Sequence, residues 1–358
     1  MVTHITPDVS NILEPVTEKL KRHQFKNDKE VALEVSHLLM RVISTRWTTP
    51  QELISLIREV GVYIFKAQPR QIIPGNIVRR VLAIIRDEIE TDNSNNSLGT
   101  PMMSSMFSLL STNSTSEQKK QPILKKETSD LRSIIIQSIR DLIDEITNAN
   151  DLLETMAVDL IHDNEVLLTP TPSSTTVMQF LIKARAKRKF TVLVTENYPN
   201  DITLAHRFVK TLAEHKIEAV LIPDSITFAV MSRVGKVIVG SNAVFANGGC
   251  LSSSGVASVV ECAKEHKTPV FAVAGLYRLS PLYPFNRDDL IEVGNSGEVL
   301  NYSDFELVDN VEVVNNPLAD YIPPEHIDIY ITNIGGFAPS FIYRIVLDNY
   351  RTEDNILE

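Results

Sequence analysis

Cysteine is nearly absent: the 358 residues contain only Cys250 and Cys262. Two thiols cannot supply a disulfide framework or a cysteine-based metal site, so a reducing cytosol is the expected setting. A surplus of positive charge is missing as well. Lys and Arg number 35 against 45 Asp and Glu, a formal net charge of −10, whereas a chain that neutralises nucleic-acid phosphates needs the opposite balance. No apolar run approaches the roughly 20 residues that span a bilayer; Val192-Leu193-Val194 and Val220-Leu221-Ile222 are strand-sized. The opening segment Met1 to Pro7 lacks the basic-then-apolar layout of a signal peptide. Neither a GxxxxGK[ST] loop nor a GxGxxG fingerprint occurs, so direct binding of GTP or a dinucleotide has no motif behind it. These absences leave a soluble, cytoplasmic chain with no cofactor or metal expected. At 43% hydrophobic and 22% charged residues it is long enough for two domains with substantial cores.

The first part reads as helical. Apolar residues recur at three- and four-residue spacing from about 9 to 25, 29 to 45, 50 to 68 and 75 to 90, as in Leu53, Ile54, Ile57, Val60 and Ile64. Pro50 suits a first helical turn and Pro69 stops the third helix. Residues 91–129 then turn rich in Ser and Asn, too polar to offset their ordering entropy, and are expected to form a disordered insertion. A long connector helix is expected over 130–163, with Ile135, Ile139, Leu142, Ile146, Leu153, Met156 and Leu160 as its apolar stripe. From 164 to 358 the period switches. Short β-rich runs begin near 166, 191, 219, 236, 269 and 327, with helical patterns between them. That alternation is the mark of βαβ units and a parallel sheet covered on both faces. The fold class is therefore α/β: an N-terminal helical domain followed by a doubly wound, Rossmann-like domain whose ligand site, if any, lies at the carboxyl ends of its strands.

The loops at those ends are rich in Ser, Thr, Asn and Gly, but such residues at helix starts are first of all caps. A more specific signal comes from the closing run Asn333 to Arg344, preceded by Asp320 to Glu325, and from Ala229 to Val234, Gly75 to Leu82 and Lys187 to Phe190. These segments resemble a family that joins the alpha, beta and delta regulatory subunits of eukaryotic translation initiation factor 2B to sugar-phosphate isomerases acting on methylthioribose phosphate and ribose bisphosphate. The resemblance covers the whole chain apart from the Ser/Asn insertion.

The kinship permits a chemical comparison. Moving a proton between adjacent carbons needs an acid and a base across the substrate, with clamps for its phosphate. Where the isomerases place a reactive cysteine after the first strand, this chain has Thr171. Gly249 stands in place of their aspartate after Asn-Gly, Ser252 and Ser253 in place of an Asn-Lys pair, and Gln68 in place of the arginine before Pro69. Neither a threonine nor a glycine can supply the missing proton transfers, each typically worth about 10²- to 10⁴-fold. Cys250 is expected to be a small buried hydrophobe and Cys262 part of a helix core. The chain is thus expected to be a non-catalytic regulatory subunit. As alternatives, the vacated pocket could still serve an isomerase with displaced groups or hold a phosphorylated metabolite as a sensor.

The resemblance implies assembly with delta and alpha regulatory subunits and with catalytic gamma and epsilon subunits. It also implies binding of translation initiation factor 2 and sensing of its phosphorylated alpha subunit, without direct contact with nucleic acid or membrane. Asn164, Val166, Thr191, Leu193 and Leu221 are the expected pairing surface. Arg46, Arg79 and Arg80 are the expected partner-binding residues.

Overall fold

In a computed structural model of the chain, residues 7–96, 128–286, 290–303, 309, 311 and 314–357 are described. They form two compact units, Met1–Glu145 with Leu347–Glu358, and Ile146–Val346.

The helical unit is built from α1 (Pro7–Lys21), α2 (Asp28–Ile43), α3 (Pro50–Ala67), α4 (Ile72–Asn96) and the first half of α5 (Thr128–Leu160). Helix starts follow local chemistry. The Asn27 side chain accepts the Glu30 N–H, and Thr49 accepts that of Glu52 with Pro50 in the first turn. Each helix turns one apolar stripe inward, so Val35, Leu39, Ile57, Val60, Ile77, Val81, Ile135 and Ile139 are fully buried. Of the expected Ser/Asn insertion, residues 91–96 continue α4, and the remainder lies outside the described residues.

The chain's last twelve residues belong to this unit, not to the α/β unit in which sequence placed them. Asp354, wholly buried, accepts hydrogen bonds from Arg58 at 2.7 Å and Arg86 at 2.8 Å. Arg79 donates to the Asn355 carbonyl, and Arg351 pairs with Asp87 and Glu90. Tyr350 and Leu357 are buried with them.

The second unit holds a seven-stranded sheet. Its strands are β1 (Glu165–Thr169), β2 (Phe190–Thr195), β3 (Glu218–Ile222), β4 (Lys236–Gly240), β7 (Val270–Val273), β10 (Ile329–Thr332) and β11 (Gly335–Phe337), with spatial order β11-β10-β7-β4-β1-β2-β3. All pairings are parallel except β10–β11. The strand order reverses between β1 and β4, the switch point of a doubly wound sheet. A smaller sheet of order β8-β5-β6-β9, from β5 (Ala243–Phe245), β6 (Cys250–Ser253), β8 (Leu279–Ser280) and β9 (Ala319–Ile322), is largely antiparallel. Its strands are too short to stand out from the loops in sequence.

Register decides which residues share a face. Leu167, Val192 and Ala219 lie abreast, as do Thr169, Val194 and Leu221. This face packs against α6 (Thr175–Arg185) and α7 (Ile202–Glu214) through Phe180, Leu181, Phe208 and Leu212, against Leu153 and Ala157 of α5, and against Ile161 just after it. The other face presents the rows Val166–Thr191–Glu218 and Leu168–Leu193–Val220. Right-handed crossovers put the helices after the switch point on this opposite side. Here α9 (Val256–His266) packs on β4 beside the five-residue α8 (Thr227–Met231).

Candidate functional site

At the switch point, where an open α/β sheet would hold a ligand, the chain's own groups fill the space. The hydroxyl of Thr171 accepts the Gly240 N–H at 3.0 Å and lies 3.3 Å from the hydroxyl of Thr169. Ser252 donates to the Gly240 carbonyl at 2.6 Å. Thr171 and Ser252 therefore saturate both backbone groups of one residue, and both are buried. A Cβ built on Gly240 would stand 2.5 Å from the Ser174 hydroxyl, which caps α6. That close approach sets the β4 backbone against the start of α6.

Gly249 is equally committed. A Cβ there would fall 2.3 Å from the Tyr321 hydroxyl and 3.0 Å from the Ile322 carbonyl. The Tyr321 hydroxyl in turn accepts the Asn247 amide at 2.8 Å. The volume that an aspartate at this position would need belongs to a tyrosine from β9. Beside it, burial pushes the Cys250 thiol up to about 12 despite an opposing hydrogen bond with Tyr330, so it stays protonated at neutral pH. Cys262 is half-buried on α9 rather than in its core. Ser253 meets Ser173 at 3.2 Å. Burial raises the pKa of neighbouring Asp201, against hydrogen bonds from Ser173 and Asn197. Gln68 lies in the helical unit, where its amide faces the His23 ring at 3.1 Å. Among the described residues no group of three or more His, Cys, Asp or Glu has metal-binding geometry.

A second candidate is the amino-terminal end of the opposite face of β1, β2 and β3, beyond the buried Leu168, Thr195 and Ile222. Val166, Thr191 and Leu193 are half-buried, and Val220 is 43% exposed, although they point away from α6 and α7. A strand interior facing solvent with valine and leucine is an unpartnered apolar surface. Along the chain just past β3, Ile226 and Phe228 are exposed at 39% and 57%. The structure brings Val166, Thr191 and Leu193 onto this face together. It removes Leu221, which packs on the α6–α7 core because successive strand residues alternate faces. Asn164 is an exposed turn residue with a left-handed φ of 60°. Its N–H reaches the Lys189 carbonyl at 2.6 Å; it does not enter a buried strand. Val220 and Glu218, not among the expected residues, share this face. The two-residue period shared with Thr191 and Leu193 was the signal that would have found them.

The arginines expected to be free divide. Arg46 is exposed. Arg79 is 6% exposed and held by the Asn355 carbonyl, and Arg80 forms a two-point ion pair with Glu145, the shorter arm 2.6 Å. Helical spacing could not reveal that the chain's terminus and α5 cover that side of α4.

Comparison with known proteins adds four findings. Residues 24–339 match the model of the Initiation factor 2 subunit family. The chain is 36% identical to translation initiation factor eIF2B subunit beta of Schizosaccharomyces pombe, covering 99% of each. Ribose 1,5-bisphosphate isomerase of Archaeoglobus fulgidus is more distant, at 28% identity over 61% of this chain and 68% of that one. Among solved structures, the tetrameric eIF2B-beta2-delta2 complex from Chaetomium thermophilum contains a chain of 28% identity and TM-score 0.71, with 96% of this chain and 95% of that chain covered.

Proposed function

The chain belongs to the Initiation factor 2 subunit family, and we propose that it is a non-catalytic regulatory subunit of the guanine-nucleotide exchange factor for translation initiation factor 2. It assembles with a delta-type subunit through the partly exposed face of β1, β2 and β3. The observation that carries this reading is Val220 with Leu193 and Val166: an apolar patch left partly exposed at the amino-terminal end of a sheet face whose carboxyl end (Leu168, Thr195, Ile222) is buried. The solved relative is a beta2-delta2 complex, which supports a homologous subunit as the occupant. Alpha, gamma and epsilon subunits and the initiation factor itself are the further partners of such a core, with Arg46 the exposed candidate on the helical unit. The two-domain reading with a helical unit ahead of a Rossmann-like one supports the same assignment. No described helix is long and apolar enough to cross a membrane, in keeping with a cytosolic exchange factor.

The refilled switch point weighs against the isomerase alternative. Thr171 and Ser252 are spent on Gly240, and Tyr321 occupies the room beside Gly249. The same closure weighs against a metabolite held there.

Native mass spectrometry of the full chain mixed with a delta-type subunit tests the proposal. Val220→Asp should abolish the heteromer while leaving the fold intact, because the side chain faces solvent in the isolated chain. Leu221→Asp, one residue on, should instead unfold the sheet, since burying an unpaired carboxylate among Phe208 and Val194 has no compensation. A Val220→Asp chain that pairs as the wild type does would refute the surface assignment.

A further inference from the structure

Among the residues of β1, β2 and β3 that point to the open face there is a single charge. Glu218 begins β3, is exposed, and lies abreast of Thr191 and Val166. The Thr191 hydroxyl donates to its carboxylate at 3.0 Å, which holds the charge over the β2–β3 pair. The remaining residues of these strands on the same face are Leu168, Leu193, Thr195, Val220 and Ile222, so none of them is a lysine or an arginine.

Two copies of one chain that join about a two-fold axis use the same patch on both sides. Joined through this face, the strand residues of each copy would offer the other's Glu218 only aliphatic groups, hydroxyls or a second Glu218; the nearest cations of the chain itself, Lys189 and Lys216, lie in the turns ahead of β2 and β3. A carboxylate dehydrated without a cation is costly, and like charges brought together across an interface cost more. A subunit of the same fold but different sequence escapes this limit, because it can place a basic side chain opposite.

We propose that Glu218, oriented by Thr191, is a specificity determinant of this face: it opposes pairing of two copies of this chain and selects a related subunit that presents a lysine or arginine across from it. The assignment rests on the open face being the pairing surface. It adds to that reading the reason why the pair is mixed rather than identical, by building a repulsive element against the wrong partner.

Sedimentation velocity on the full chain tests it, alone and with a delta-type subunit, at low and high salt. Glu218→Gln should strengthen self-association at least about tenfold and weaken the mixed pair, with the difference shrinking in high salt. An equimolar mixture of wild type and Glu218→Lys should form a dimer that neither forms alone. Unchanged or weakened self-association of Glu218→Gln would overturn the proposal, as it would if Lys189 or Lys216, in the turns ahead of β2 and β3, bound Glu218 in a self-pair. Absence of the wild type–Glu218→Lys dimer would overturn it too. Val220→Asp separates the two levels. If it leaves the mixed pair intact, the surface itself is wrong; if it abolishes that pair while Glu218→Gln changes nothing, only the selection is wrong. Far-UV circular dichroism confirms that each variant is folded.

Discussion

Replacing Asp354 by Ala should loosen the helical unit even though the residue lies only four positions before Glu358. Its carboxylate is wholly buried between Arg58 and Arg86, with hydrogen bonds of 2.7–3.1 Å to both. Removing it leaves two guanidinium groups without their shared anion. Breaking a buried pair costs roughly 3–5 kcal/mol. The two arginine side chains remain 33% and 21% exposed, and Glu353 still pairs with Arg86 at 2.8 Å, so water and that neighbour recover part. The expected loss is about 2–3 kcal/mol, or about 5–10 °C in the midpoint for a unit of this size. Trp47 is the only tryptophan. It is buried in the helical unit, donates to the Ile43 carbonyl at 2.9 Å and lies under Arg132 at 4.9 Å, so its emission reports unfolding of that unit alone. The penalty should also depend on pH. Burial by itself would raise the Asp354 pKa, but hydrogen bonds from Arg86 and Arg58 outweigh it and hold the carboxyl below its ordinary range. A depressed folded-state pKa stabilises above the unfolded value of about 3.9, and the stabilisation is lost as pH falls through the folded value. Wild type and Asp354→Ala should therefore differ fully at pH 6 and converge below about pH 4. A loss under about 0.5 kcal/mol, or an equal loss at pH 3 and pH 7, would refute the role assigned to the buried pair.

Two further outcomes follow from the refilled switch point. Gly249→Ala should destabilise the α/β unit by about 1–3 kcal/mol through overpacking, because its methyl meets the Tyr321 hydroxyl. In a Tyr321→Ala background the same change should cost much less in thermal unfolding, and a double-mutant cycle with no coupling would contradict the contact. Cys250, with its thiol pushed up to about 12 and its side chain fully buried, should resist an aromatic disulfide reagent in the native chain and react only on denaturation. Rapid labelling of Cys250 at pH 8, located by peptide mass mapping, would show that the site is open.

Sequence alone was enough for the fold class, and the family resemblance was enough for the expectation that the isomerase groups are absent. Apolar period separates a 3.6-residue helix from a two-residue strand, and the six main parallel strands lie within a residue or two of their expected positions. Whether a residue can transfer a proton is likewise a property of its side chain, so Thr171 and Gly249 speak without a structure. Position relative to distant chain segments is another matter. Arg79 and Arg80 look like a solvent-facing basic pair until the chain's terminus and Glu145 are placed against them. Leu221 and Val220 are adjacent and both aliphatic, and only the register of β3 on β2 sends one into the core and the other to solvent. Tyr321 and Gly249 are 72 positions apart, and nothing in either segment announces that one fills the other's space. Local pattern thus determined the elements, and the resemblance the missing chemistry. Tertiary packing decided which of those residues remain free to meet a partner, because burial and pairing depend on neighbours far away in the chain.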